Sequence, residues 1–129
     1  MDLTRNYKND SDEQIIYKRL VTELKEWQNN LQYWKEEADN LAAISKKYLN
    51  DFKVAQSFEK YKTALSNFNS EIHRANNALE NINECDSIQC DMYYLNEHSS
   101  VEKNYYELIK NFRILKKSLY AKMINKKLS

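Results

Sequence analysis

Glycine and proline are both absent from the 129 residues, where roughly 9 and 6 would be expected at average usage. Glycine supplies positive φ and proline breaks helices, so a chain lacking both is nearly all helix with few sharp turns. The same absence excludes the phosphate-cradling loop, the dinucleotide fingerprint and the nucleophile elbow, each of which needs glycine for close backbone approach. No apolar run approaches the roughly 18 residues that cross a bilayer. The opening Met1-Asp2-Leu3-Thr4-Arg5-Asn6 carries no leader-like hydrophobic stretch, so cytoplasmic residence is the expectation. Charge of one sign is lacking too. Twenty basic residues balance 19 acidic ones for a net charge of +1, and mean hydropathy is low at -0.88. Global charge therefore argues for neither nucleic acid nor a membrane surface.

What is present is periodicity. Residues 1–10 are polar and aperiodic and read as a flexible tail before a single domain over 11–129. Ser11 and Gln14 have the form of a capping box. Beyond them Ile16, Leu20, Leu24, Trp27, Leu31, Trp34, Ala38 and Leu41 recur at alternating spacings of four and three, the seam of a coiled-coil-like helix. A second stripe runs through Val54, Phe58, Tyr61, Leu65, Phe68, Ile72, Ala75, Leu79 and Ile82. Extending the first stripe reaches Ala55, one residue out of phase with Val54. That slip, flanked by Asn50 and Asp51, predicts a turn near 47–53, since Asn and Asp tolerate the left-handed region.

The polar stretch from Asn83 to Asp91 holds both cysteines, and Asp86 with Gln89 could cap a short helix over Ile88, Met92 and Leu95. Ser99 with Glu102 forms another capping box, opening a third stripe at Val101, Tyr105, Leu108, Phe112, Leu115 and Leu119. Each seam can be buried only against the others. The expected fold is all-α: an up-down-up antiparallel three-helix bundle with a short helical connector, its helices spanning about 12–47, 53–83 and 99–126. The rival is a longer first helix, unbroken at Asn50, that pairs with a second chain.

Candidate sites are sparse. Cys85 and Cys90, with His98 downstream, could supply metal ligands at a spacing just within zinc practice. A pair of reduced thiols in a loop is the simpler expectation, a disulfide between the two is a further alternative, and no metal or cofactor is expected. His73, beside Glu71 and Ile72, reads as a partly exposed polar histidine. Trp27 and Trp34 read as core, whereas some of Tyr93, Tyr94, Tyr105 and Tyr106 should face outward. No nucleophile–base set assembles, so neither an enzyme nor a small-molecule substrate is expected.

Charge placement is the strongest functional hint. From Leu108 onward Lys110, Arg113, Lys116, Lys117, Lys122, Lys126 and Lys127 meet no acidic residue. In the expected bundle they join Lys46, Lys47 and Lys53 at one pole, while Asp10, Asp12, Glu13, Glu80, Glu84 and Asp86 collect at the other. Helix electrostatics accounts for cations in a last turn but not for all seven.

The segments Glu23-Leu24-Lys25-Glu26-Trp27 and Leu31-Gln32-Tyr33-Trp34-Lys35-Glu36-Glu37 resemble the opening helix of small uncharacterised helical-bundle proteins of Bacteroidetes. The run from His98 through Tyr105, Leu108, Phe112, Leu119 and Tyr120 is similar to their closing segment. The histidine-rich start of that closing helix is reduced here to His98. The resemblance implies a bundle fold and a bacterial cytoplasm, and it brings no catalytic residue with it. The expected function is therefore a non-enzymatic interaction or scaffold protein, contacting protein partners or another copy of itself. Off-seam Ile15, Val21, Ile109 and Ile114 suggest self-association. The alternatives are a peripheral binder of anionic surfaces, membrane or RNA, through Lys110 to Lys127, and a thiol or metal sensor at Cys85 and Cys90. Specific nucleic-acid readout is not expected.

Overall fold

A computed structural model describes residues 12–85 and 87–126. The polar tail, the cap at Ser11, Asp86 and Lys127 lie outside the described residues. Three helices, α1 (Asp12–Lys47), α2 (Phe52–Leu79) and α3 (Ile88–Asn125), are joined by a tight turn and by a 3-10 turn at Ile82–Glu84. At 1.5 Å per residue, α1 is about 54 Å long.

The turn expected from the phase slip is present, and Asn50 makes it with φ 54°, the left-handed conformation Asn adopts at least cost among non-glycine residues. The backbone groups left over at the helix end find partners there. Asp51 N–H donates to the Ser45 carbonyl at 2.9 Å, and Lys126 Nζ, arriving from α3, donates to the Tyr48 carbonyl. Asp51 is the N-cap of α2, accepting from Val54 N–H at 3.0 Å through Oδ1. Its other oxygen takes Lys122 Nζ at 2.9 Å. One aspartate thus starts α2 and ties the far end of α3 to the turn.

The Lys122 hydrogen bond, with the Val54 N–H beside it, holds the Asp51 carboxyl below its ordinary pKa. A carboxyl lowered on folding contributes stability that is complete above its unfolded pKa of about 3.9 and is lost as pH falls through the lower folded value. Asp51→Asn, which can keep the cap, should melt below the wild type, and Asp51→Ala lower still. Both should show a shallower loss of melting temperature below pH 4 than the wild type does. An unchanged acid limb in both variants would show that Asp51 is not tied to Lys122.

The three stripes are the core. Leu20, Leu24, Trp27, Leu31, Ala38 and Leu41 of α1 face Phe58, Tyr61, Leu65, Phe68, Ile72 and Leu79 of α2 and Val101, Tyr105, Leu108, Phe112 and Leu119 of α3. Ser45 extends the first stripe and is buried, its hydroxyl donating to the Leu41 carbonyl at 2.7 Å. Ala55, not Val54, heads the buried line of α2, at the position that extending the first stripe reaches, so α2 does not begin one residue out of phase as expected.

α1 and α2 are antiparallel and closely packed, as are α2 and α3. α1 and α3 therefore run parallel, and they meet chiefly through large side chains. Four rings from alternate helices stack between them: His98 on Trp27 at 5.0 Å, Trp27 on Tyr105 at 5.0 Å, and Tyr105 on Trp34 at 5.4 Å. Asn30 Nδ2 donates to the Tyr105 hydroxyl at 2.7 Å. Between α2 and α3, Tyr61 stacks on Phe112 at 4.6 Å and its hydroxyl donates to the Leu108 carbonyl at 2.7 Å. Burial of that phenol raises its pKa far above the ordinary value.

The connector differs from expectation in one respect. Its helical segment is not separate: α3 runs unbroken from Ile88, capped by Ser87, whose hydroxyl accepts from Cys90 N–H at 3.1 Å. Ser99 and Glu102 lie inside this helix and do not begin it. The apolar positions Ile88, Met92 and Leu95 lead into His98 and Val101 at helical spacing, so no backbone polar group needs a new start at Ser99.

Candidate functional site

The basic residues of α3 separate into two groups. Lys116 Nζ lies 3.4 Å from Glu37 of α1 and 4.5 Å above the Phe112 ring. Lys122 and Lys126 are committed to Asp51 and to the Tyr48 carbonyl. These three link α3 to α1 and to the turn. Lys110, Arg113 and Lys117 are exposed, and no carboxylate lies within ion-pair distance of them among the described residues. Six of the seven thus divide between two environments, and Lys127 lies outside the described residues.

The outward group is interleaved with apolar side chains. At 100° per residue, Tyr106, Lys110, Arg113, Lys117, Tyr120 and Ile124 share one flank of α3, and Tyr106, Tyr120 and Ile124 are exposed. Arg113, Lys117, Tyr120, Ala121 and Ile124 border a shallow furrow of about 420 Å³. Around the adjoining turn, Tyr48 and Phe52 are exposed beside Lys46, Lys47 and Lys53. The result is a basic pole studded with rings and aliphatic side chains. The opposite pole is only partly described: Glu80 and Glu84 are exposed there.

Of the off-seam residues expected to support self-association, Val21 and Ile109 pack against the core. Ile15 is half-buried, and of the four Ile114 alone is exposed. The slightly wider apolar margin of α1 and α3 absorbs the others.

The cysteines depart from expectation. Cys85 and Cys90 form a disulfide, with Cα atoms 5.5 Å apart. The 3-10 turn ends at Cys85, and the Ser87 cap starts α3 so that Cys90 falls in its first turn, which brings the two together. Sulfurs bonded to each other cannot serve as thiolate ligands. The proposed metal set Cys85, Cys90 and His98 is therefore not assembled, and His98 lies about 12 Å further along the helix axis. His73 is exposed as expected, with Gln28 Nε2 at 3.3 Å from its ring nitrogen.

His98 itself is the least expected feature. It is only 6 % exposed, on the core side of α3, and its ring lies flat against Trp27. Nε2 approaches Glu23 Oε1 of α1 at 3.7 Å, too long for a hydrogen bond, and this buried nitrogen has no hydrogen-bond partner. Burial lowers the His98 pKa below its ordinary value, against the opposing pull of Glu23, so the imidazole is neutral at neutral pH. Glu102, one turn on, completes a cluster in which a donor atom from each of the three side chains lies within 4.8 Å of the others. Arg19 Nε holds Glu23 Oε1 at 3.1 Å. Extending the third stripe three residues back from Val101 would have placed His98 on the seam, and Glu102 lies at i+4. Glu23 carried no such signal, because its place beside them depends on how α1 docks against α3.

No family model, curated protein or solved structure matches the chain. Its function must be read from the surface. Among the described residues, no helix is long and apolar enough to cross a membrane.

Proposed function

We propose that the chain is a non-enzymatic interaction module that docks an acidic protein surface against the outer flank of α3 and the adjoining turn. The observation that carries this reading is the alternation of unpaired cations with exposed rings on one flank: Lys110, Arg113 and Lys117 among Tyr106, Tyr120 and Ile124. Arg and Tyr are the residues interfaces favour at their energetic centres, and the cations select an acidic partner by charge complementarity.

The test is capture from the native cell with the wild type and with Lys110→Glu/Arg113→Glu/Lys117→Glu, alongside Lys25→Glu/Lys35→Glu/Lys60→Glu, exposed positions on α1 and α2, as a charge-matched control. A partner retained by wild type and control but lost by the triple variant, and released by salt, supports the reading. Retention by the triple variant as well as by wild type and control overturns it. Binding of phosphatidylserine vesicles by purified protein, with no protein captured, would transfer the same surface to an anionic membrane, a reading that Tyr48 and Phe52 at the pole favour.

Cytoplasmic residence, which the resemblance also implies, belongs to this proposal and would keep Cys85 and Cys90 reduced. Alkylation of the denatured native protein reports their state. A pair that cycles between thiol and disulfide would favour the thiol-sensor reading.

A further inference from the structure

We infer that Glu23, His98 and Glu102 form a binding site for a first-row divalent cation of the zinc class, bridging α1 and α3. Three observations converge. His98 and Glu102 sit at i and i+4 on α3, the spacing that stacks two side chains on one helix face, and Glu23 meets them from α1. The donor atoms lie within 4.8 Å of one another, whereas donors about 2.1 Å from a tetrahedral zinc lie roughly 3.4 Å apart. Small torsions of the two half-buried glutamates close that difference. Most telling is the imidazole, whose Nε2 is buried, unpartnered and aimed at the carboxylates. A buried polar nitrogen without a partner costs stability, and a cation would complete its coordination.

The donor set selects the metal. One imidazole with two carboxylates suits borderline ions such as Zn²⁺ or Co²⁺ better than Ca²⁺ or Mg²⁺, which take all-oxygen shells. Three protein ligands also leave at least one position open for water or a partner's carboxylate. Arg19 competes for the site, since its guanidinium occupies the Glu23 oxygen nearest His98. It lies at the surface, so it can swing away. The site stands apart from the basic flank of α3 and does not depend on that reading.

Cobalt chloride provides the probe, added to the full chain without reductant so that the disulfide contributes no thiolates. One equivalent should bind, produce visible ligand-field absorption, and quench the fluorescence of Trp27, whose ring lies on His98. Zinc should displace it and raise the melting temperature, because a ligand bound only by the folded state stabilises it. A tenfold excess of magnesium should not displace it.

Glu23→Gln and Glu102→Gln should each weaken binding roughly tenfold or more, and His98→Leu should abolish the absorption. His98→Leu should remain folded, since it replaces an unpartnered buried nitrogen with an apolar side chain of similar size. Arg19→Ala should tighten binding a few-fold, and His73→Gln should leave it unchanged. Cobalt binding that survives His98→Leu, or the absence of binding by the folded wild type at millimolar metal, overturns the site.

Discussion

Tyr105→Ala is expected to remove about 3–5 kcal/mol of stability, the usual cost of deleting a buried aromatic side chain. Typical domains have only about 5–15 kcal/mol in total, so the variant should lose a large share of its stability and unfold at a much lower urea concentration. The position is severe because Tyr105 lies between two tryptophans, at 5.0 Å from Trp27 and 5.4 Å from Trp34, with Phe68 at 6.1 Å. Removing the ring opens a void where α1 and α3 have little backbone contact to fall back on, and it strands the Asn30 amide. Tyr105→Phe keeps the stack and loses only the 2.7 Å hydrogen bond from Asn30, worth about 1 kcal/mol. Urea unfolding followed by tryptophan fluorescence measures both, since Trp27 and Trp34 flank the altered ring. A loss below about 1 kcal/mol for Tyr105→Ala would mean that the stack does not hold α1 to α3.

Phe58→Ala should be nearly as damaging, again by about 3–5 kcal/mol, but in a different layer. Phe58 is 0 % exposed and meets Phe112 edge-on with ring centroids 6.4 Å apart. Phe112 is in turn stacked on Tyr61, so the void would loosen the ring cluster that joins α2 to α3. Phe58→Leu, which refills most of the volume, should cost visibly less. Phe112 lies two turns from Tyr105, about 10.5 Å along α3. Because Phe58 acts through Phe112, Phe58→Ala and Tyr105→Ala should add at that separation, and the double variant should not fold by circular dichroism. A double variant that still unfolds cooperatively at ambient temperature would refute separate, essential layers.

The readable part of this chain was local. The spacing of Leu20, Leu24, Trp27 and Leu31 is a property of one helix, and it needs no knowledge of the partner to mark the buried face. The turn was expected from a one-residue change of phase beside Asn50; the turn is present although the buried line resumes at Ala55 and not at Val54, and the φ of 54° at Asn50 shows why asparagine sits where a glycine would otherwise be used. The same local logic misread Ser99 and Glu102 as a helix start. A capping box and two polar surface residues inside a helix look alike when the preceding turn cannot be seen to be helical. The charges of α3 were legible as residues but not as roles. Nothing in the order of Lys110, Lys116 and Lys117 tells which one meets Glu37.

The sequence by itself therefore determined three helices, the face each one buries, and an asparagine-built reversal, because glycine and proline are missing and the stripes are unbroken. Only the tertiary structure decided the rest. It placed Tyr105 between Trp27 and Trp34, set His98 beside Glu23, spent Lys116, Lys122 and Lys126 on the fold, and left Arg113 and Lys117 outside. The physical reason is register. The apolar period along a helix says which side is buried, but sliding one helix past another by a turn preserves that side and changes every neighbour. Here the interleaved rings of α1 and α3 fix the slide, and with it the company each charged residue keeps.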